Sequence, residues 1–464
     1  QPDGQEVNYS KEMMKLYFQN EDPSFDLLFD SQDEGQTYVD RYKANILADG
    51  STVVAERVSF APQPQSAMTI IDQHTGYVKA IIGGRGTKTA SLTLNRATDS
   101  TRQPGSTFKI VSTYAAALNE KGMTLATTYE DQPITYDNGA PVNNASGSFN
   151  GTTTIRTAIR NSVNTVAVQC FEDVTPELGL KYLDNFGFTT LAHGTEADTD
   201  ANGNVYTDAN LPTALGGLTY GVKNVELCAA YAAIANGGNY IKPVYYTKIL
   251  DHNGNVLIEN NSVGRSVIKE TTAYLLTSAL EDVVQNGTGT ACQLDNMAVA
   301  GKTGTTDAYN DLWFVGYTPY YTCAVWSGYD GNQKIPEGDA RNFHKTLWRK
   351  VMNRIHQGME YKDFEVPDGI EQISICADTG LLPRVGCPVT EEYFDVGTIP
   401  TEYCDQHFYE YDESQDEDME IYDVNATPTP DPENPDGTDN TDGSGGDGTG
   451  GDGTGGDGTG GDGT

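Results

Sequence analysis

The sequence predicts an α/β domain built on one antiparallel sheet with helices on both sides. Three observations carry this. Met68-Thr69-Ile70-Ile71-Asp72 and Tyr77-Val78-Lys79-Ala80-Ile81-Ile82 flank Gln73-His74-Thr75-Gly76 and read as a β-hairpin with glycine in its turn. A long middle stretch then carries apolar residues at helical spacing. Strands return late, with Lys302 beginning or lying on one and Trp313–Tyr317 and Tyr321–Trp326 forming a second hairpin.

In chain order, residues 1–65 are polar, with short helical patterns at Tyr9–Phe18 and Thr37–Leu47. After the first hairpin, Pro104 and Gly105 break the chain and Ile110–Leu118 reads as a helix with Ser106 at its N-terminus. Residues 120–160 are rich in Thr, Asn, Gly and Pro and predict loops with short strands. A helix is expected from about Thr154 to past Val168, with Ile155, Ala158, Ile159 and Val163 on one face. Phe171–Phe186, Lys223–Ala235 and Thr271–Val284 also read as helices, and Asn342–Met359 as a closing one. Residues 366–408 set three cysteines and His407 among turn residues. Glu410–Asp423 is an acidic run, read as a solvated linker. From Asn425 a Pro-Thr-Pro stretch gives way to Gly-Gly-Asp-Gly-Thr repeats with nothing to bury, and disorder is expected there. Their period of five and missing apolar position separate them from calcium-binding glycine-rich repeats. The expected divisions are therefore 1–65, 66–365, 366–424 and 425–464.

Three short segments carry chemistry. Ser106-Thr107-Phe108-Lys109 puts a hydroxyl at a helix N-terminus and an amine three residues on, on the same face. The helix dipole favours an alkoxide there by roughly 0.3–1 kcal/mol. The amine can take the proton if burial or neighbouring charge lowers its pKa. Alone, such a pair is ordinary helix-capping chemistry. It is followed by Ser162-Val163-Asn164 and then by Lys302-Thr303-Gly304-Thr305-Thr306. Ser-x-x-Lys, Ser-x-Asn and Lys-Thr-Gly in this order are the signature of penicillin-binding proteins and serine β-lactamases. With their flanks, and with Trp313-Phe314-Val315-Gly316-Tyr317-Thr318-Pro319, Thr219-Tyr220-Gly221-Val222 and Ala230–Gly238, residues 66–365 resemble the transpeptidase domain of class A penicillin-binding proteins. The wide gap between the second and third motifs fits that family better than class A β-lactamases.

The resemblance implies a sheet-and-helix domain joined to an all-helical subdomain, with the active site in the cleft between them. It implies Ser106 as nucleophile, Lys109 as general base, Ser162 as proton relay and Asn164 as a holder of Lys109 and the substrate amide. Lys302 keeps Lys109 partly neutral and, with Thr303 and Thr305, receives the substrate carboxylate, and Gly304 leaves room for substrate along the strand edge. The backbone N–H groups of Ser106 and Thr305 form the oxyanion hole. The implied reaction is D,D-transpeptidation of peptidoglycan: a D-Ala-D-Ala stem peptide as donor, an amine as acceptor, and β-lactams as inhibitors. Neither a cofactor nor a catalytic metal is expected. The implied place is the outer face of the bacterial cytoplasmic membrane, with the anchor upstream and this chain an ectodomain fragment. Residues 1–65 are then a pedestal left from a glycosyltransferase connection. Glu21-Asp22-Pro23-Ser24-Phe25 matches the start of a glycosyltransferase motif only by chance, since the His and Gly that should follow are missing.

Two other readings remain open at this stage. One is a hydrolase of the same superfamily, a β-lactamase or D,D-carboxypeptidase; Thr175-Pro176-Glu177-Leu178-Gly179 resembles the deacylating loop only in part. The other is a non-catalytic β-lactam sensor, which would need a transmembrane partner.

The net charge of −37 argues against nucleic acid and anionic membrane surfaces as partners. His74, His193, His252, His344 and His356 are scattered and form no second site. Of seven cysteines, Cys170, Cys228, Cys292 and Cys323 lie in apolar segments and read as buried thiols. Cys376, Cys387 and Cys404 are spaced too widely for the usual paired zinc ligands, and only His407 lies close to Cys404. A Cys376–Cys387 disulfide is expected, with zinc and free thiols as the alternatives.

Overall fold

The computed structural model describes residues 3–47, 50–88, 90–261 and 263–407. The acidic run and the glycine-rich repeats lie outside the described residues. Helices α1 (Lys11–Gln19) and α2 (Gln32–Ile46) pack Phe18, Met14 and Tyr42 into a small aromatic core of their own. Helix α2 starts well before its apolar pattern does. The Ser31 hydroxyl accepts the Glu34 N–H at 3.1 Å, and the Glu34 carboxylate accepts the Asp30 N–H at 2.8 Å.

Strands β1 (Gln65–Asp72) and β2 (Tyr77–Ile82) form the expected hairpin, turned at Gly76 with φ +72°. The chain then passes through a tight turn at Gly105–Thr107 and a wide turn at Ile110–Tyr114 into α3 (Ala115–Glu120). Strands β3 (Thr128–Asp131) and β4 (Gly151–Thr154) pair within the expected loop region. Next come α4 (Ile155–Asn161), α5 (Asn164–Val174), α6 (Pro176–Asn185), α7 (Asn224–Ala235) and α8 (Glu270–Asn286). Strands β5 (Ala300–Thr305), β6 (Asp311–Tyr317) and β7 (Thr322–Gly328) complete an antiparallel sheet in the order β5-β6-β7-β1-β2. Helix α9 (Phe343–Ile355) closes the domain.

Strand periodicity sorts the sheet's side chains into two layers. Trp313, Val315, Tyr317, Ala324 and Trp326 join the core with Tyr231 of α7 and Leu276 and Leu280 of α8. Met68, Ile70, Phe314, Cys323 and Val325 face the other way, onto Trp348 and Met352 of α9. Each large apolar side chain so buried contributes about 1.5–3 kcal/mol.

Four expectations are corrected. The helix expected from Thr154 to past Val168 is two helices, broken at Ser162 and Val163; Ser162 adopts the left-handed conformation, φ 58° and ψ 41°. The helix expected over Phe171–Phe186 is also two, because Pro176 can start α6 but cannot donate to a continuing α5. Residues 366–408 are not merely turns. They contain a hairpin, β8 (Ile370–Cys376) with β9 (Val389–Asp395), which packs by Tyr393 on Tyr274 of α8. The expected Cys376–Cys387 disulfide is absent and all seven cysteines are free thiols. The hairpin holds the Cys376 sulfur among three other ligand atoms instead of against one. The described residues all belong to one compact unit.

Candidate active site

Ser106 sits inside the tight turn at Gly105–Thr107, half-buried, rather than capping a helix that starts at Ile110. The turn is fastened on several sides. The Trp313 indole N–H of β6 donates to the Gln103 carbonyl at 2.8 Å, and the Tyr231 hydroxyl of α7 donates to the Thr107 carbonyl at 2.7 Å. The Gln103 side chain bonds both backbone groups of Leu218, at 2.7 and 2.9 Å. Gly105 and Gly304 let β5 approach: a Cβ on Gly304 would lie 2.5 Å from the Pro104 carbonyl oxygen, and one on Gly105 would lie 2.8 Å from the Thr305 oxygen. Gly304 therefore makes room for the serine turn.

One helical turn on, Lys109 is fully buried, and its Nζ meets four oxygens. These are Asn164 Oδ1 at 2.6 Å, the Ser162 carbonyl at 2.7 Å, the Val163 carbonyl at 3.2 Å and Ser162 Oγ at 3.3 Å. The break between α4 and α5 supplies this nest. A continuous helix would have tied both carbonyls into its own ladder; the left-handed Ser162 turns them out toward the amine. Burial, and after it the nearby Lys302 charge, holds the Lys109 amine well below the usual lysine range. Lys302 is fully buried on β5, donates to the Thr303 carbonyl at 3.3 Å, and is pushed down to about 7 by burial. Thr303 Oγ1 lies 2.7 Å from Thr288 Oγ1, and Thr305 is exposed at the strand's end. Strand β5 stands last in the sheet, so Lys302–Thr305 lies along an edge.

Sequence reasoning misses the residues that set Asn164. Asn144 Oδ1 accepts the Asn164 N–H at 2.8 Å, capping α5 from a distant loop, while Asn164 Nδ2 donates to the Asn143 carbonyl at 2.6 Å. Asn144 in turn donates to buried Asp131 at 2.6 Å, as does the Thr165 hydroxyl at 2.5 Å. Asp131 and Asn144 have no periodic signal, and a carboxylate within a Thr- and Asn-rich stretch reads as loop. Glu177, the partial match to a deacylating residue, is exposed in the first turn of α6.

A buried lysine in reach of two serine-bearing motifs, beside a lysine-bearing strand edge, defines a penicillin-binding transpeptidase fold. Comparison with known proteins agrees. Residues 66–353 match the penicillin binding protein transpeptidase domain, and residues 366–409 match the penicillin-binding protein 1A C-terminal domain; the chain belongs to the penicillin-binding protein family. Penicillin-binding protein 1A of Clostridium tetani is 34% identical over 362 residues, covering 74% of this chain and 45% of that protein. The Clostridium novyi protein of the same name is 36% identical over 364 residues, covering 74% and 40%. The chain thus spans less than half the length of these curated relatives. Among solved structures, penicillin-binding protein 1A of Haemophilus influenzae superposes with a TM-score of 0.62 at 25% identity, covering 74% of this chain and 55% of that one. PonA1 of Mycobacterium tuberculosis in complex with penicillin V gives 0.57 at 26% identity, covering 72% and 85%.

Proposed function

We propose that this chain is a serine D,D-transpeptidase of peptidoglycan, acting on the outer face of the bacterial cytoplasmic membrane and blocked by β-lactams. The observation that carries the reading is the Lys109 amine, buried and depressed in pKa, between the Ser-x-x-Lys turn and the Ser162–Asn164 motif. A neutral amine keeps two N–H donors for its two shortest contacts, Asn164 Oδ1 and the Ser162 carbonyl. Its lone pair is then free to accept a hydroxyl proton.

Ser106 Oγ attacks the carbonyl carbon of the penultimate D-Ala and passes its proton to Lys109. The C–O bond forms, the C–N bond to the terminal D-Ala breaks, and that nitrogen takes the proton through Ser162. An acceptor amine then attacks the ester carbon: the new C–N bond forms, the C–O bond to Ser106 breaks, and the amine's proton returns to Ser106 Oγ through Lys109, leaving a cross-link. The backbone N–H groups of Ser106 and Thr305 stabilise the oxyanion; their chains already approach closely, since a Cβ on Gly105 would lie 3.0 Å from the Thr305 nitrogen. Lys302, Thr303 and Thr305 receive the substrate's terminal carboxylate along the β5 edge. Residues 1–65 serve as the pedestal of this domain.

Turnover of a stem-peptide mimic ending in D-Ala-D-Ala, with a free amine present, tests the reading. Formation of the new amide with release of D-Ala is expected. Hydrolysis alone would make the protein a carboxypeptidase or β-lactamase, and acylation by penicillin with no peptide turnover would make it a sensor.

A further inference from the structure

Outside the active site, the structure assembles a second constellation of reactive side chains. The ligand atoms of Cys376, Cys387, Cys404 and His407 all lie within 4.8 Å of one another. Cys376 ends strand β8, and its N–H bonds the Leu381 carbonyl at 2.8 Å across a turn. Gly380 in that turn has φ +71°, and a Cβ there would meet the Ala126 carbonyl. Cys404 is brought in by pairing with the far side of the same turn: its N–H donates to the Leu382 carbonyl at 2.8 Å, and the Leu382 N–H donates to Glu402 at 2.9 Å. His407 follows one turn later. Cys376 and Cys404 are fully buried.

The distances separate a metal site from a failed disulfide. His407 Nδ1 is 3.5 Å from the Cys376 sulfur and 3.4 Å from the Cys404 sulfur. In a tetrahedral zinc site, Zn–S near 2.3 Å and Zn–N near 2.0–2.1 Å put nitrogen and sulfur about 3.5 Å apart and sulfurs about 3.8 Å apart. A disulfide would instead bring one pair to about 2 Å and leave the other two groups without a task.

The surroundings also fit. The other imidazole nitrogen, Nε2, lies 3.2 Å from the Asp378 carboxylate, the arrangement that orients a metal-bound histidine and raises its basicity. The Arg384 N–H points at the Cys387 sulfur at 3.2 Å, a bond suited to a thiolate. The module's apolar contacts with the main body are few: Ile375 and Phe394 against Ala126, with Ile373 and Ile399 partly buried around them, and Ile370 and Tyr393 against the main core.

We infer that Cys376, Cys387, Cys404 and His407 form a closed structural Zn²⁺ site that locks residues 376–407 into their fold. Three cysteines bind as thiolates and the histidine as neutral imidazole, so up to three thiol protons leave to solvent as the metal enters. Four protein ligands leave no open position, which marks the site as structural and not catalytic. This is the zinc alternative for the late cysteines, and it adds no metal to the active site.

The full chain, purified under reducing conditions, is the test material. One zinc per chain by elemental analysis is expected, with three thiols protected from a thiol reagent until a chelator is added. Replacing the zinc with Co²⁺ should produce a thiolate-to-cobalt charge-transfer band and the visible absorption of a tetrahedral ion. Asp378→Asn should lower zinc affinity about 10–100-fold, and Cys404→Ser should abolish stoichiometric binding. Should Cys404→Ser fail to fold, the metal count and cobalt spectrum of the unaltered chain still decide the matter. Overturning results are a metal-free chain with freely reacting thiols, a Cys376–Cys387 disulfide in a non-reducing peptide map, or iron bound in preference to zinc. Fluorescent-penicillin labelling, followed in parallel, reports on the Ser106 chemistry independently of the metal.

Discussion

The sheet domain and the β8–β9 module solve the same problem with opposite means. The domain packs three tryptophans and many aliphatic side chains on both faces of its sheet. With that apolar surplus it tolerates two fully buried lysines a short distance apart, each of which costs free energy to hold. The module has few apolar side chains to bury and relies on directional bonds instead. The Arg156 guanidinium of α4 grips the Glu392 carboxylate of β9 through two bonds of 2.6 Å, and it also reaches Ser278 of α8 at 3.0 Å. Where apolar area is plentiful, charge can be buried for chemistry; where it is scarce, charge is buried for attachment.

The largest expected effect isolates the chemistry. Ser106→Ala should abolish covalent labelling by a fluorescent penicillin and move stability by no more than about 0.5 kcal/mol, because the hydroxyl supports no packing. Residual labelling would remove Ser106 from the mechanism.

Next comes the cost of buried charge. Lys302→Met should cut β-lactam acylation severely while making the chain more stable at neutral pH, by roughly 1–4 kcal/mol. The sign follows from the pKa near 7. Between about 7 and the unfolded lysine value of about 10.4, the unfolded chain holds a proton that the folded one lacks, so stability rises with pH across that window. Below about 7 both states are protonated, the penalty is fully present, and the variant's advantage is greatest. Melting temperatures from pH 6 to 10 check this; a pH-independent difference would contradict it. The wild-type acylation rate should also fall above about 7, as Lys302 loses the proton that attracts the substrate carboxylate.

For the module, Arg156→Met leaves Glu392 buried and unpaired, a loss of about 3–5 kcal/mol. Hydrogen exchange should quicken across 370–395, while acylation falls much less than in Lys302→Met. If exchange there is unchanged, attachment does not depend on the ion pair. The smallest effect is expected from deleting residues 425–464, whose repeats offer nothing apolar to pack; acylation rate and melting temperature should stay as they are.

Much of the fold and of the candidate site is legible in the amino-acid sequence. The strands around Ile70, Val315 and Ala324 announce themselves as short apolar runs rich in β-branched and aromatic residues, bounded by turn residues, and Ser106, Lys109, Ser162, Asn164 and Lys302 by their order. The helix breaks are not legible. Ile155, Ala158, Ile159 and Val163 keep helical spacing straight through the point where Ser162 turns left-handed, because the reason for the turn, the Lys109 amine, is far away in sequence. Asp131 and Asn144 are invisible for the same reason. The module's hairpin is hidden by its composition: β8 and β9 alternate weakly, with Glu371, Ser374, Glu391 and Glu392 among the few apolar residues. Cysteine spacing also misleads, since a fold can gather ligands that the chain holds apart.

The end position of β5 has a price beyond catalysis. A strand that stands last in its sheet is open to a strand from a second molecule, and edge-to-edge pairing is a route to self-association. One feature limits the hazard here: the strand is only six residues long. A ligand lying in the edge would cover it. Occupied molecules should therefore remain dispersed at concentrations where empty ones begin to associate, even if both melt at the same temperature.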